Sequence, residues 1–293
     1  MQISIIITTY NNANILDKCL YNISVQNFKK NFEVIVVDDG SQDHTSKILE
    51  KWQQQSKIFS LKTIYQENTK QGQARNKGVN LATGEIIIFI GSDILVQANF
   101  LEEHHHFHQK FPQEEALAVG QITWTPKLNQ DRFRRWLIST GLMPKFKGYK
   151  NYQELDFWHF YTGNLSLKKS FFLKYQFNKD FVCYGWEDTM LGYELLSNNG
   201  RLFYLKKALV WHDHALNENI FFPNRMREIG KSAVIFTQKY PQVPVIPRGL
   251  KMFLFKFLSF NSIIFILSLL HKEWQWYALS KKFFLEGIFS LKK

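Results

Sequence analysis

Two apolar runs that each break off into polar residues constrain the fold of this chain more than any other feature. Ile5-Ile6-Ile7 leads into Thr8-Thr9-Tyr10-Asn11, and Val36-Val37 leads into Asp38-Asp39-Gly40-Ser41. Uninterrupted apolar runs of this kind read as strands covered on both faces, the condition of a parallel sheet held between helices. In an open α/β sheet, ligands bind outside the carboxyl ends of the strands. Two adjacent carboxylates at the mouth of a buried strand are costly without donors. Asp38 and Asp39 therefore imply a polar ligand, a cation, nearby backbone amides, or the cap of a helix that begins near Asp43.

The alternation continues downstream. Strands are expected near 3–9, 33–37, 61–65, 86–90 and 117–123, and helices near 12–26, 43–55, 71–82 and 98–110. Strands separated by helices of this length give an α/β fold with a parallel-rich sheet. No repeat or low-complexity linker interrupts the chain before residue 240, so 1–240 reads as one domain and 241–293 as a tail. Hydrophobic content of 45% excludes general disorder. Cys19 and Cys183 stand in no metal-like spacing, and Met1 runs directly into the first strand, which points to a reducing, cytoplasmic setting.

The formal charge of +12 is uneven: residues 248–293 hold eight Lys or Arg against two Glu, a surplus of six. These charges interleave with Phe, Leu, Ile and Trp. That pattern suits an anionic membrane surface, and without a recognised nucleic-acid module, nucleic acid is not expected as a partner. The apolar run 252–270 is broken by Lys256, Ser259, Asn261 and Ser262 and is short for a membrane span. Beyond it, Trp274, Trp276, Tyr277, Phe283 and Phe284 alternate with Lys281 and Lys282, as in a helix lying among headgroups. Peripheral association at the cytoplasmic face of the membrane is the leading expectation, with a hairpin packed on the body as the alternative.

Four further segments carry chemistry. Gln71-Gly72-Gln73-Ala74-Arg75-Asn76-Lys77-Gly78 gathers backbone amides and two cations at a helix N-terminus, where an anion is favoured. Ile86–Ile90 ends in Gly91-Ser92-Asp93, so Ser92 and Asp93 lie at a strand mouth. Tyr161-Thr162-Gly163-Asn164 is followed by Tyr184-Gly185-Trp186-Glu187-Asp188 at a helix start, where the helix dipole keeps a carboxylate ionised. Val210-Trp211-His212-Asp213-His214 ends another strand. By contrast, His104, His105, His106 and His108 span one helical turn on several faces. They read as histidines of a solvated helix that pack or cap locally, outside any site.

Taken in order with the Asp38-Asp39 segment, these motifs resemble family 2 glycosyltransferases over about residues 2–240. The resemblance implies a GT-A type fold: a Rossmann-like, parallel-rich mixed sheet flanked by helices, here followed by an amphipathic helical tail. It implies transfer of a sugar from a nucleotide-diphosphate sugar, UDP-sugar favoured, to a glycan or lipid-linked acceptor with inversion, as in polysaccharide or lipid-linked glycan synthesis. Thr8, Tyr10, Asp39, Gly72, Arg75 and Ser92 would bind the nucleotide. Asp93 and His212 would hold Mn²⁺ or Mg²⁺, Asn164 and Trp186 would meet the sugars, and Asp188, with Glu187 beside it, would be the general base. Gly91 departs from the family pattern, which has a carboxylate there. That departure keeps a non-catalytic nucleotide- or sugar-binding protein as the alternative. A nucleotidyltransferase and a dinucleotide oxidoreductase fit less well, because no glycine-rich phosphate loop follows the first strand.

Overall fold

The computed structural model describes residues 2–181 and 183–291. The chain divides into two compact units, Met1–Lys179 with Leu191–His214, and Asp180–Met190 with Ala215–Lys293.

The first unit is built on nine strands: β1 (Ile3–Thr9), β2 (Phe32–Asp38), β3 (Ser60–Tyr65), β4 (Ile86–Gly91), β5 (Ile94–Val96), β6 (Ala116–Trp124), β7 (Glu154–Leu155), β8 (Leu165–Lys168) and β9 (Arg201–His212). They form one sheet in the order β3-β2-β1-β4-β8-β6-β9-β5, with β7 pairing β9. Strands β3, β2, β1 and β4 are mutually parallel, as are β6 and β9. Strand β8 runs antiparallel between β4 and β6, and β5 and β7 are antiparallel to β9. Helices α1 (Ala13–Ser24), α2 (Thr45–Gln55), α3 (Gln71–Leu81), α4 (Phe100–Lys110), α5 (Arg132–Ser139) and α6 (Lys169–Tyr175) complete this unit, which also takes most of α7 (Glu187–Ser197).

The apolar runs behave as their composition requires. Side chains alternate across a strand. Ile3, Ile5 and Ile7 of β1 thus join one core with Leu16, Leu20 and Ile23 of α1, while Ile6 joins the opposite core with Ala74 and Val79 of α3. Gly78 lets α3 come this close, because a Cβ there would lie 2.6 Å from a methyl of Ile6. The expected strands and helices are present with ends no more than two residues from those predicted. Strands β5, β7 and β8 were not predicted; all are four residues or fewer, too short for periodicity to register.

Helix α4 departs from the expectation of a solvated helix. Phe100, Leu101, His104, Phe107 and His108 share its buried stripe, at the spacing of an amphipathic helix whose two histidines occupy apolar positions. His104 Nε2 lies 2.9 Å from Asn164 Oδ1, its Nδ1 lies 2.8 Å from Ser166 Oγ, and His108 Nε2 lies 2.9 Å from the same hydroxyl. The carboxamide oxygen only accepts, so His104 donates through Nε2 and accepts the Ser166 hydroxyl at Nδ1; His108 then donates to Ser166. Both rings are neutral in this arrangement. Burial lowers His104 to about 4 and His108 well below the ordinary histidine value.

The second unit holds α8 (Glu218–Ile220), a π-helical turn (Phe221–Met226), α9 (Arg227–Lys239), α10 (Gly249–Leu258), α11 (Asn261–Leu270) and α12 (Lys272–Ser290). Residue 240 lies inside it. Helix α12 crosses α9 at Gly230 and Gly287, whose Cα atoms are so near the partner backbone that any Cβ would collide. The headgroup expectation for 272–290 is overturned for two of its aromatics. Trp276 and Phe284 are buried, and the Trp276 indole N–H donates to Glu218 Oε2. The unpartnered apolar surface lies instead on α10 and α11, bent by 74° at their junction, where Leu250 is 74%, Phe253 65%, Phe265 64% and Leu269 70% exposed. Among the described residues no single helix is long and apolar enough to cross a membrane.

The neutral histidines set a pH dependence. Their native pKa values are depressed, so protonation favours the unfolded chain once pH falls below the ordinary value near 6.5, and stability declines from there toward pH 4. Urea unfolding is expected to show a loss of about 2 kcal/mol from His104 between pH 7.5 and 5.0, with a further loss in the same direction from His108. His108→Gln, which retains a donor for Ser166, should lose less over that interval. A flat profile would show that these rings accept protons in the native state.

Candidate active site

The carboxyl ends of β1, β2 and β4 meet at one edge of the sheet, where Thr9 pairs with Asp38 and Thr8 with Gly91. Two loops interlock there. Asn11, at φ +48°, donates its N–H to Ser41 Oγ at 2.9 Å, and its side-chain oxygen accepts the Gln42 N–H at 2.7 Å. Asp43 accepts the Ala13 and Thr45 N–H groups, each at 3.0 Å. It thus fills the helix-capping role that Asp38 or Asp39 was an alternative for.

Asp38 accepts the Ser41 N–H at 2.9 Å. Asp39 is buried and fully committed to the loop before α3: Oδ1 takes the Thr69 N–H at 2.8 Å and the Gln66 amide at 2.7 Å, and Oδ2 takes the Lys70 N–H at 3.0 Å. The bonds that hold Asp39 explain how two buried carboxylates are tolerated at a strand mouth. In this conformation it shapes the loop of residues 66–70 that leads into α3. Thr8 is nearly buried and Tyr10 is half-exposed at the rim.

Helix α3 presents Gly72, Arg75 and Asn76, all buried. Asn76 clamps Phe177 by accepting its N–H at 2.9 Å and donating to its carbonyl at 2.8 Å. Arg75 sits with its guanidinium 5.4 Å from the Phe177 ring centre and donates to Gln71 Oε1 at 3.0 Å. Gly72 faces the same phenylalanine. The segment is thus a basic helix end packed against residue 177, an anchor that its own sequence did not indicate.

At the end of β4, Ser92 accepts from the Asn12 side chain at 3.0 Å. Strand β5 then pairs antiparallel with β9, Ile94 opposite His212, and the Asp213 N–H donates to the Asp93 carbonyl at 2.9 Å. This register brings His212 Nε2 to 2.9 Å from Asp93 Oδ2, with His214 Nδ1 3.6 Å from the same oxygen. Burial raises the Asp93 carboxyl, but the charge and hydrogen bond of His212, with His214 behind, outweigh it and hold the group down at about 2. Asp93 is therefore ionised throughout the neutral range. Trp124 stacks on His212 with ring centres 4.8 Å apart, and Arg134 lies over Trp124 and donates to the His214 carbonyl at 2.9 Å. Neither Trp124 nor Arg134 was expected from the sequence; only the end-to-end pairing of β6 with β9, Trp124 opposite His212, reveals them.

Gly91 has a local reason here. A Cβ at this position would lie 2.7 Å from Asp93 Oδ1, so the Asp93 side chain folds over the space a carboxylate-bearing residue would fill. Asp93 Oδ2 and His212 Nε2 converge on one point and fit a divalent cation whose other ligands are phosphate oxygens. The described residues contain no cluster of three or more His, Cys, Asp or Glu that would hold a cation alone.

Asn164 is corrected. It is completely buried: its oxygen meets His104, and its amide donates to the Ala208 carbonyl at 2.8 Å and the Gln121 carbonyl at 3.2 Å, so it is a core lock and not a sugar contact.

In the second unit, the Gly185–Asp188 turn is fastened to α9. Trp186 donates its indole N–H to the Ile229 carbonyl at 3.1 Å, and Ser232 Oγ accepts the Trp186 N–H at 3.4 Å and donates to the Tyr184 carbonyl at 3.1 Å. Gly185 has φ +136°, and a Cβ there would lie 2.7 Å from Ser232 Oγ. Glu187 is buried and accepts the Gly185 N–H at 2.7 Å, closing the turn, while Asp188 is partly exposed in the first turn of α7.

The profile of glycosyl transferase family 2 matches residues 4–175. A validoxylamine A glucosyltransferase of Streptomyces hygroscopicus subsp. jinggangensis is 26% identical over 227 residues, covering 66% of this chain and 51% of that protein. The uncharacterized glycosyltransferase YfnE of Bacillus subtilis is 29% identical over 232 residues, 75% of this chain and 56% of its own length. The chain thus spans about half the length of these curated relatives. Among solved structures, the mannosyltransferase PcManGT from Pyrobaculum calidifontis, in complex with GDP-Man and Mn²⁺, superposes with a TM-score of 0.65 at 15% identity, covering 98% of this chain and 86% of that one. S. aureus TarS 1–349 in complex with UDP gives 0.59 at 16% identity, covering 100% and 91%. A mixed sheet whose parallel strands end in these motifs, together with a profile match over more than half its length, shows that the chain belongs to glycosyltransferase family 2 and has the GT-A fold.

Proposed function

We propose that this protein transfers a glycosyl group from a nucleotide-diphosphate sugar to an acceptor hydroxyl with inversion at the anomeric carbon, in the synthesis of a polysaccharide or lipid-linked glycan. The observation that carries this reading is the convergence of Asp93 and His212 at the carboxyl edge of the sheet, 119 residues apart in sequence and 2.9 Å apart in space. A UDP-sugar is the favoured donor. TarS in complex with UDP and with UDP-GlcNAc supports that class, although PcManGT binds GDP-Man.

In the reaction, the acceptor oxygen attacks the anomeric carbon as the bond from that carbon to the diphosphate oxygen breaks. The acceptor proton passes to the Asp188 carboxylate, and the nucleoside diphosphate leaves with the bonding pair. A divalent cation, when bound, supplies Lewis-acid neutralisation of the leaving diphosphate. Asp93 and His212 would hold it, and Arg75 adds a fixed positive charge at the helix end. Thr8, Tyr10 and Ser92 line the nucleotide side, and Trp186 offers its ring to a sugar.

Asp188→Asn is expected to cut transfer by about 10²- to 10⁴-fold while nucleotide affinity stays within a few-fold, because a general base contributes to the transition state and little to donor binding. Calorimetric titration with the nucleoside diphosphate, alongside the turnover assay, separates the two effects. Near-normal turnover would remove Asp188 from the role.

The cation is expected to bind with the nucleotide rather than before it. His212 Nδ1 is buried without a hydrogen-bond partner, and metal-bound imidazoles that lack such support lose about 10- to 100-fold in affinity. Mn²⁺ titrated alone, followed by electron paramagnetic resonance, should bind weakly and should tighten strongly once UDP or GDP is present. Equal affinity in the two titrations contradicts this. Gly91 favours one second reading, a nucleotide-binding protein without turnover; absence of nucleoside diphosphate release from every sugar nucleotide in a panel would select it.

The membrane association proposed for this chain is carried by α10 and α11, whose exposed Leu250, Phe253, Phe265 and Leu269 form the apolar surface and whose Lys251 and Lys256 supply basic charge. Replacing those four apolar residues by Ser should abolish sedimentation with anionic liposomes at low salt and leave the α9–α12 packing intact. Unchanged sedimentation would place the membrane contact elsewhere or remove it.

A further inference from the structure

Away from the Asp93–His212 pair, the first unit contains a cleft of about 700 Å³ along the carboxyl half of β6. Gln121, Ile122 and Thr123 form one wall, Tyr204 and Lys206 of β9 another, and the loop from Pro144 to Asn151 closes it. That loop is fastened to β9. The Tyr152 N–H donates to the Tyr204 carbonyl at 2.7 Å, the Tyr204 N–H donates to the Gln153 carbonyl at 2.8 Å, and Asn151 accepts the Lys206 N–H at 2.8 Å. Its floor is aromatic: Phe146 stacks on Tyr204 with ring centres 4.9 Å apart and planes at 8°, and Tyr149 stands beside them.

Four lysines ring this floor. Lys145, Lys147, Lys150 and Lys206 all line the cleft and all are exposed. Their ammonium groups make no ion pair among the described residues, and no Asp or Glu lines the cleft. Like charges gathered in a concave, low-dielectric surface focus a positive potential that repels itself unless an anion fills it. Phe146 and Tyr204 are buried against each other, and Tyr149 beside them is half-buried, so its ring is the one that offers an apolar face to the C–H side of a sugar. The cleft neighbours the Trp124–His212 stack through α5, since Ile138 in its lining lies one helical turn from Arg134, the cation over Trp124.

We propose that this cleft binds an anionic glycan acceptor, a saccharide polymer carrying phosphodiester or carboxylate groups, with the four lysines on its anions and the Tyr149 ring against its sugars. The proposal rests on the transferase reading above and adds the class of its acceptor. A glycan is favoured over another polyanion because the chain is a family 2 glycosyltransferase and Ile138 of the cleft lies one turn along α5 from Arg134, which covers the Trp124–His212 stack.

The test is direct binding at about 50 mM salt, where exposed charge pairs retain most of their attraction. The full chain is titrated with a mannan bearing phosphodiester groups, polygalacturonate, neutral dextran and a single-stranded oligonucleotide. One or both anionic glycans should bind, and which of the two binds identifies the anion. Dextran and the oligonucleotide should bind at least tenfold more weakly. The quadruple variant Lys145→Ala, Lys147→Ala, Lys150→Ala and Lys206→Ala should lose about 10- to 100-fold in glycan affinity, the summed effect expected of four exposed charges. A control with equal charge removed from exposed surface elsewhere, Lys29→Ala, Lys47→Ala, Lys57→Ala and Lys127→Ala, should bind like the parent. Thermal melting verifies that both variants are folded. Equal losses in the two variants, no binding of either anionic glycan by the parent, or oligonucleotide binding as tight as glycan binding would each overturn the proposal. Nucleoside diphosphate release from sugar nucleotides, assayed in the same proteins, separates this outcome from that of the transferase reading. Normal release with no cleft-dependent binding sinks the cleft alone, while cleft-dependent binding with no release sinks the transferase reading and with it the acceptor role.

Discussion

The short antiparallel pairing of β5 with β9 is the contact that brings Asp93 and His212 together. Three residues of β5 fix the register that sets Ile94 opposite His212, and the backbone bond from Asp213 to the Asp93 carbonyl locks its end. A one-residue slip would turn every side chain to the opposite face. His212 would then leave Asp93, and the carboxylate would lose the charge and hydrogen bond that hold it ionised despite burial. The adjacent parallel pairing of β6 with β9 adds the Trp124 ring against His212. A site made from residues 93, 124, 212 and 214 is therefore a property of sheet order more than of any single motif.

Around this pair, several polar residues act first as structural ties. Asp39 organises residues 66–70, Asn76 holds Phe177, Asn164 joins the His104–Ser166–His108 network, and Glu187 closes the turn before α7. Asp39, Asn76, Asn164 and Glu187 each meet donors or acceptors in place, which is the condition for a polar group to sit inside a fold without destabilising it. These ties also leave the loops at the sheet edge rigid, so groups offered to a ligand need not be ordered on binding.

The second unit sorts its helices by burial. Helix α12 meets α9 backbone to backbone at Gly230 and Gly287 and buries Trp276, Phe284, Leu285 and Ile288, whereas α10 and α11 leave large apolar side chains exposed. The basic, aromatic composition of residues 248–293 is shared by both kinds of helix and therefore does not distinguish them.

Much of this was legible in the amino-acid order. Continuous apolar runs determined buried parallel strands, because only two-sided burial tolerates them, and the polar residues that end those runs marked the sheet edge at which β1, β2 and β4 meet. The motifs, read in order, pointed to family 2 and to Asp93 and His212. Other features were decided only by the tertiary structure, because they depend on pairings between distant segments. Strands β5 and β8 are too short to declare themselves, and the buried histidines of α4 look polar until Asn164 and Ser166 satisfy them. Asp39 and Asn164 read in sequence as ligand contacts, and only the structure shows that Asp39 also ties down the loop before α3 and that Asn164 is locked inside the core. The cleft lysines lie on a loop and on a strand more than fifty residues apart, and their grouping exists only once β9 and the 144–151 loop are joined. Local sequence carries propensity and periodicity; which distant groups meet is set by the register of the sheet.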